Sequence, residues 1–398
     1  MTKKVALVTC YFQKNYGSQL QAYATQLFFD KINVPNETIR IDGLQKEIRH
    51  AKYKYFLSRL WDINTIQDKF STVKKIWALK CKGEEFKKKM STRNKMFESF
   101  SQTMFHLSPT YKSKKDLINN VYSYKAFIVG SDQLWLPSNI EADYYTLNFV
   151  PHNIPKISLA TSFGVSKLPI AQSKKAIVFL KKLDFCSVRE TSGKEIIKKL
   201  VGRDVPVVCD PTILFTAQEW NQIISQNRIY NKPYIFCYFL GNNPKQRDLV
   251  KKFQKETGYP IIQLQHCDEY IKTDENFADF TPYNIGPLEF IQLIRDAEYV
   301  FTDSFHGSVF SLLFKKRFFT FKRYHNDSTT STNGRIYSLL SSVNLEERLI
   351  KEYENFDQVI NKDINYGQVD TKLDELRKFT INFIKEALDK SHIKYDNN

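Results

Sequence analysis

The residues of this chain best suited to chemistry lie in one turn, Asp303-Ser304-Phe305-His306-Gly307-Ser308. There an apolar run from Tyr299 to Thr302 stops on polar residues and restarts with apolar positions at 309, 310, 312 and 313. The first run reads as a buried strand and the second as one face of a helix, so the turn joins a strand to a helix N-terminus. In an open α/β sheet such a turn sits at the carboxyl edge of the strands, where ligands bind. The helix end offers backbone N–H groups and a positive dipole to an anion, and an imidazole beside it is well sited for phosphate chemistry. The plainer reading makes Asp303 or Ser304 a helix cap and His306 a surface residue.

Four further turns carry polar residues in comparable positions. Asn15-Tyr16-Gly17-Ser18 opens a helix after an apolar run, and its backbone can cradle a phosphate or sugar, or serve only as an N-cap. Gly130-Ser131-Asp132 ends a fully apolar run and precedes Gln133 and Trp135. A polar pair beside an aromatic plate suits a sugar ring, unless Trp135 belongs to the core. Ser162-Phe163-Gly164 and Ser187-Val188-Arg189-Glu190 end two more runs. Arg189 can hold a carboxylate or phosphate in bidentate fashion, or pair with Glu190 or Asp184.

Positioning these turns requires strands and helices in alternation, and the pattern supplies them. Strands are expected at 5–9, 38–41, 126–129, 156–160, 185–188 and 205–208, with helices at 17–31, 170–182 and 192–200. A second set of strands is expected at 234–240, 260–264, 299–302 and 318–321, with helices at 217–226, 245–257, 287–296 and 306–314. This is a doubly wound α/β pattern repeated twice. At 398 residues the chain suits two domains, 1–228 and 229–398, facing across a cleft. An amphipathic helix at about 371–388 can pack back on the first.

Charge and cysteines narrow the classes. The net charge is +16, and residues 46–115 hold 18 Lys and Arg against 6 Asp and Glu, an excess of 12. Aromatic residues there, including Phe56, Trp61, Trp77 and Phe86, alternate with lysines such as Lys74, Lys75, Lys87, Lys88 and Lys89 at helical spacing. This reads as basic amphipathic helices inserted in the first domain, suited to an anionic membrane surface or merely solvated. No zinc finger, RNP pattern or basic zipper speaks for nucleic acid. The six cysteines are scattered without a CxxC, as reduced cytoplasmic thiols would be, and no metal-ligand cluster stands out. The opening residues 1–10 are too short an apolar run for a signal peptide or a membrane span.

Six segments together carry a resemblance. Asn15-Tyr16-Gly17-Ser18-Gln19-Leu20-Gln21-Ala22-Tyr23, Val129-Gly130-Ser131-Asp132-Gln133-Leu134-Trp135, Ala160-Thr161-Ser162-Phe163-Gly164, Ser187-Val188-Arg189-Glu190, Asp210-Pro211-Thr212 and Asp303-Ser304-Phe305-His306-Gly307-Ser308 occur in the order found in the polysaccharide pyruvyl transferase family. The segment Gly334-Arg335-Ile336-Tyr337-Ser338-Leu339-Leu340 also resembles members from capsule and exopolysaccharide clusters. The resemblance leaves out the basic window. It implies a GT-B-like fold and transfer of the pyruvyl group of phosphoenolpyruvate, a co-substrate and not a cofactor, onto two sugar hydroxyls as a cyclic ketal. A lipid-linked saccharide is the expected acceptor, which would place a cytoplasmic enzyme peripherally at the inner face of the cell membrane.

On that basis Arg189, Ser304, His306, Gly307, Ser308 and Arg335 are expected to bind the donor. Asn15, Tyr16, Gly17, Ser131, Asp132 and Trp135 are expected at the acceptor, with His306 and Asp132 exchanging protons. Members often carry Arg two positions before the His, where this chain has Ser304, so Arg335, Lys322 or Arg323 would have to substitute. The alternative on the same frame is a glycosyltransferase using a nucleotide-sugar.

Overall fold

The computed structural model describes residues 3–57, 83–265, 271–323, 333–350 and 356–396. Two five-stranded sheets, all parallel in their pairings, organise it. The first is built from β1 (Lys4–Val8), β2 (Asn36–Thr38), β3 (Tyr124–Val129), β4 (Lys156–Thr161) and β5 (Phe185–Val188), in the order β2-β1-β3-β4-β5. The second contains β6 (Ile235–Tyr238), β7 (Ile261–Gln263), β8 (Tyr299–Thr302), β9 (Arg317–Phe321) and β10 (Leu349–Ile350), in the order β10-β9-β8-β6-β7. Counted from its own first strand, each sheet follows the same order. The strands are apolar nearly throughout because helices cover both faces, as parallel sheets require.

In each sheet the order reverses between the first and third strands, β1 and β3 or β6 and β8. At such a switch point the loops after the two strands part and leave a crevice for ligand. Pairing of Val8 with Val129, and of Tyr238 with Thr302, ends each pair of strands level, so the following loops emerge side by side.

The expected strand at 205–208 is not a strand. Only Val207 bridges to Val188, because Pro206 has no N–H to extend the ladder. The strand expected at 38–41 lies earlier, at Asn36–Thr38, and β10 is too short to show a period-two signal.

Several contacts join the two halves. One hydrophobic cluster runs through both, with Trp220 edge-on to Phe310 at 5.3 Å between centroids. The C-terminal helix Tyr366–Lys390 returns to the first domain, where Thr380 Oγ1 accepts from Cys209 N (3.0 Å) and Arg377 Nε donates to Ile213 O (2.9 Å). Within the basic window, helices span Gln45–Leu57 and Glu84–Thr103. The second of these is anchored on its apolar side by buried Phe97 and Phe100, and its buried Arg93 donates to the carbonyls of Gln265 and Pro282 in the second domain. Phe86 lies edge-on to Tyr283, and Lys87 and Lys89 pair with Glu84 and Glu85 at 2.7 Å each. Trp61, Trp77, Lys74 and Lys75 lie outside the described residues. Among the described residues no helix is long and apolar enough to cross a membrane, and no group of His, Cys, Asp and Glu could hold a metal ion.

Candidate active site

The second domain's share of the site begins where β8 ends. Asp303 is fully buried; its two carboxylate oxygens accept from Leu240 N (2.7 Å) and Gly241 N (2.8 Å), tying together the loops after β6 and β8. Ser304 caps the helix Phe305–Leu313, its Oγ accepting from Gly307 N at 3.3 Å. Its extended backbone comes one residue before the helical turn, so the Oγ reaches the third helical N–H as a cap should. His306, in the first turn, then projects toward the other domain.

There it is held between two first-domain residues. Nε2 lies 3.5 Å from Asp210 Oδ2. On its other side, a Cβ added at Gly17 would come within 1.9 Å of Nδ1. Gly17 is therefore glycine because an imidazole from the opposite domain occupies the space of a side chain.

A buried ion cluster, drawn from the first domain with Arg335 of the second, surrounds that imidazole. Asp132 Oδ2 accepts from Ser18 Oγ (2.5 Å), and its Oδ1 faces Arg189 Nη2 (3.4 Å) and Arg335 Nη1 (3.5 Å). Asp132 sits in the left-handed region at φ 78°, which a non-glycine residue adopts only when its surroundings compel it. Arg189 joins the carboxylates, with Nη1 2.6 Å from Asp210 Oδ2 and its guanidinium 4.4 Å from the Phe305 ring centroid. Asp210 also accepts from Ser131 Oγ (2.9 Å) and from Thr212 N and Oγ1.

Burial alone would push the Asp132 carboxyl up, but Arg189, Arg335 and His306 together outweigh it and hold it at about 2. Asp210 is held far below the usual range by His306 and Arg189 in the same way. Burial, added to repulsion from Arg189, draws Arg335 down to about 10, still charged at neutral pH. Burial raises Glu190 despite both arginines; one oxygen accepts from Ser162 Oγ (2.9 Å) and Phe163 N (3.2 Å), and the other has no hydrogen-bond partner among the described residues.

Between the domains opens a polar cavity of about 200 Å³. It is lined by Lys52, Arg323, Arg335, His306, Ser304 and Asp132, among others. Among the described lining residues, three cationic side chains and an imidazole thus face one carboxylate, and Arg323 also lies 3.8 Å from the buried Asp303. Of the candidate substitutes for an arginine at 304, Arg323 and Arg335 reach this cavity and Lys322 is not among its lining residues.

Several expected site residues lie elsewhere. Trp135 is not a sugar platform: it is fully buried, packed on Phe163 and Phe179, with its indole N–H bonded to Tyr145 O. Tyr16 is not exposed to an acceptor either, being stacked on Phe290 at 4.9 Å with its hydroxyl donating to Ile285 O. Ser131 is buried against Asp210. Ser308 bonds Ser304 O and Thr320 Oγ1, and Gly307 packs against Thr302, so both shape the turn without lining the cavity. Asn15 lines the cavity while capping its helix through Ser18 N. Arg189 spends its guanidinium on two carboxylates and a ring, with its side chain 2% exposed. Sequence reasoning missed Asp210 as the hub, Ser18 as the partner of Asp132, and Lys52. The Asp-Pro-Thr turn signalled Asp210; nothing local marked one lysine among many.

Comparison with known proteins agrees with this architecture. A UDP-N-acetylglucosamine 2-epimerase superposes with TM-score 0.53 at 9% identity, covering 100% of this chain and 99% of that one. The MnaA–UDP structure from S. aureus gives 0.52 at 10% identity, covering 98% and 97%. At such identity the likeness is one of fold, a GT-B-like pair of Rossmann-type domains. No curated protein matches the chain. The family model for polysaccharide pyruvyl transferase, however, matches residues 15–326, a span that includes the Gly17 and His306 turns and Arg323. With that match on top of the cleft geometry, the chain belongs to the polysaccharide pyruvyl transferase family and is a transferase.

Proposed function

We propose that the enzyme takes the pyruvyl group from phosphoenolpyruvate and closes it as a cyclic ketal on two hydroxyls of a lipid-linked saccharide destined for a surface polysaccharide. The observation that carries this reading is the lining of the cleft cavity. Lys52, Arg323 and Arg335 converge there beside a helix N-terminus, matching a small molecule with both a carboxylate and a phosphate.

In this reaction His306 delivers a proton to the methylene carbon, making C2 electrophilic. One sugar oxygen bonds to C2, the C2–O bond to phosphate breaks, and the second sugar oxygen closes the ring. Two hydroxyl protons are released for the one taken up at carbon. Asp132, held at about 2, orients a hydroxyl but is a poor resting place for its proton. A phosphate monoester, with a second pKa of roughly 6, is the stronger base, so the departing phosphate carries the proton away. Arg189 acts through Asp132 and Asp210, fixing both carboxylates against Phe305.

The test uses phosphoenolpyruvate carrying heavy oxygen at the bridging position, with lipid-linked saccharides as acceptors. Labelled inorganic phosphate together with a pyruvylated glycan is the expected outcome. A glycan extended by a sugar from a nucleotide donor, with no consumption of phosphoenolpyruvate, would establish the glycosyltransferase alternative instead.

A further inference from the structure

The cleft cavity is too small for donor and acceptor together. At about 200 Å³ it falls below the roughly 300–1,000 Å³ typical of pockets that enclose drug-sized ligands. A second cavity of about 600 Å³ shares Phe305 with it as a wall. Its sides come from both domains: Val207 and Ile213 from the first, Leu339 from the helix Asn333–Ser342, and Leu376 from the C-terminal helix. Tyr337, 49% exposed, stands among these side chains together with the hydroxyls of Thr191, Ser192 and Ser338.

Its charge distinguishes it from the cleft cavity. Among the described residues the charged groups lining it are Arg189 and Asp210, and these neutralise each other at 2.6 Å. A phosphate or nucleotide would find no free cation here. A sugar ring would find what it needs, an aromatic face for its C–H side and hydroxyls for its own, without net charge. Of the first-domain residues that the sequence offered for a sugar, Tyr16, Ser131 and Trp135 are buried, and Asn15 and Asp132 line the smaller, charged cleft cavity.

We infer that this second cavity is the acceptor site, holding a neutral sugar unit against Tyr337, and that donor and acceptor meet at the Phe305 wall. The inference rests on the pyruvyl-transfer reading and adds where, and as what class of molecule, the acceptor binds.

Saturation-transfer NMR on the full chain tests it, with lactose, maltose and cellobiose as probes and UDP and decanol as charged and apolar controls. At least one disaccharide should show transfer to its ring protons, and the signal should vanish both in Tyr337→Ala, which removes the exposed ring, and in Ser338→Trp, which fills the space. Phosphoenolpyruvate affinity by calorimetry should be unchanged in both variants, which also confirms that they fold. Absence of binding by all three disaccharides, binding that survives both substitutions, or occupation by UDP or decanol in their place would overturn the inference. Failure of the underlying function reads differently: the unmodified protein would then not bind phosphoenolpyruvate at all.

Discussion

The two domains share one strand order and place opposite charges at the same point of it. Beyond the first switch point, between β1 and β3, stands the carboxylate Asp132, with Asp210 and the arginine that holds both close by. Beyond the second, between β6 and β8, stands His306, with Arg323 and Arg335 close to it. One half therefore orients and contributes Lys52, while the other half supplies the helix end and two arginines for an anion. Neither crevice is a site by itself, since the imidazole of one domain is seated between Gly17 and Asp210 of the other.

The strongest challenge to this division is removal of the imidazole. His306→Ala should lower turnover by roughly 10²–10⁴-fold, the usual worth of a positioned proton donor, measured as phosphate release from phosphoenolpyruvate. Gly17→Ala comes next, though it touches no substrate. Its new methyl displaces the imidazole, and misplacement by about an ångström can cost about a hundredfold in turnover. If Gly17→Ala retained full activity, the seat described for His306 would be wrong.

Stability should respond to the carboxylate half. Asp210→Ala leaves the buried Arg189 with the longer ion pair to Asp132 in place of its shortest one, and breaking a buried pair of this kind costs about 3–5 kcal/mol, readable as a lower urea midpoint. Acid acts on the same cluster. The folded value of Asp132, about 2, lies below the roughly 3.9 of an unfolded aspartate, so its contribution is full at neutral pH and is lost as pH falls through that interval. The urea midpoint of the native protein should therefore drop more steeply between about pH 4 and 2 than that of Asp132→Asn.

The smallest expected effect concerns the basic window. Replacing Lys87, Lys88 and Lys89 with Glu should weaken co-sedimentation with anionic vesicles, each lysine near the surface being worth about 1 kcal/mol, and leave stability nearly unchanged because exposed pairs contribute little. Equal binding to neutral vesicles would remove the membrane role.

What the sequence made legible were the strands with uninterrupted apolar runs and the polar turns that end them, because a parallel strand buried on both faces has little choice of residue. It could not separate a buried aromatic from a displayed one. Trp135 follows a polar turn just as a sugar plate would, and only the packing of Phe163 and Phe179 around it decides. Nor could it single out Lys52, and it offered Arg335 only through the family resemblance. Their function lies in a cavity assembled from segments nearly three hundred positions apart, and no local pattern encodes that meeting. The proline in 205–208 was visible, and its missing N–H outweighed the apolar run around it.

Arg93 carries a consequence for turnover. By sequence its helix belongs to the first domain, yet its guanidinium is bonded to carbonyls of the second. With the covalent connection, the returning C-terminal helix and the Tyr16 hydroxyl on Ile285 O, it fastens the halves at several separate places. A clamshell fastened in several places does not breathe on a single hinge. Substrates should then come and go through the cleft mouth with the halves closed, and hydrogen exchange should find these crossings protected together throughout the catalytic cycle.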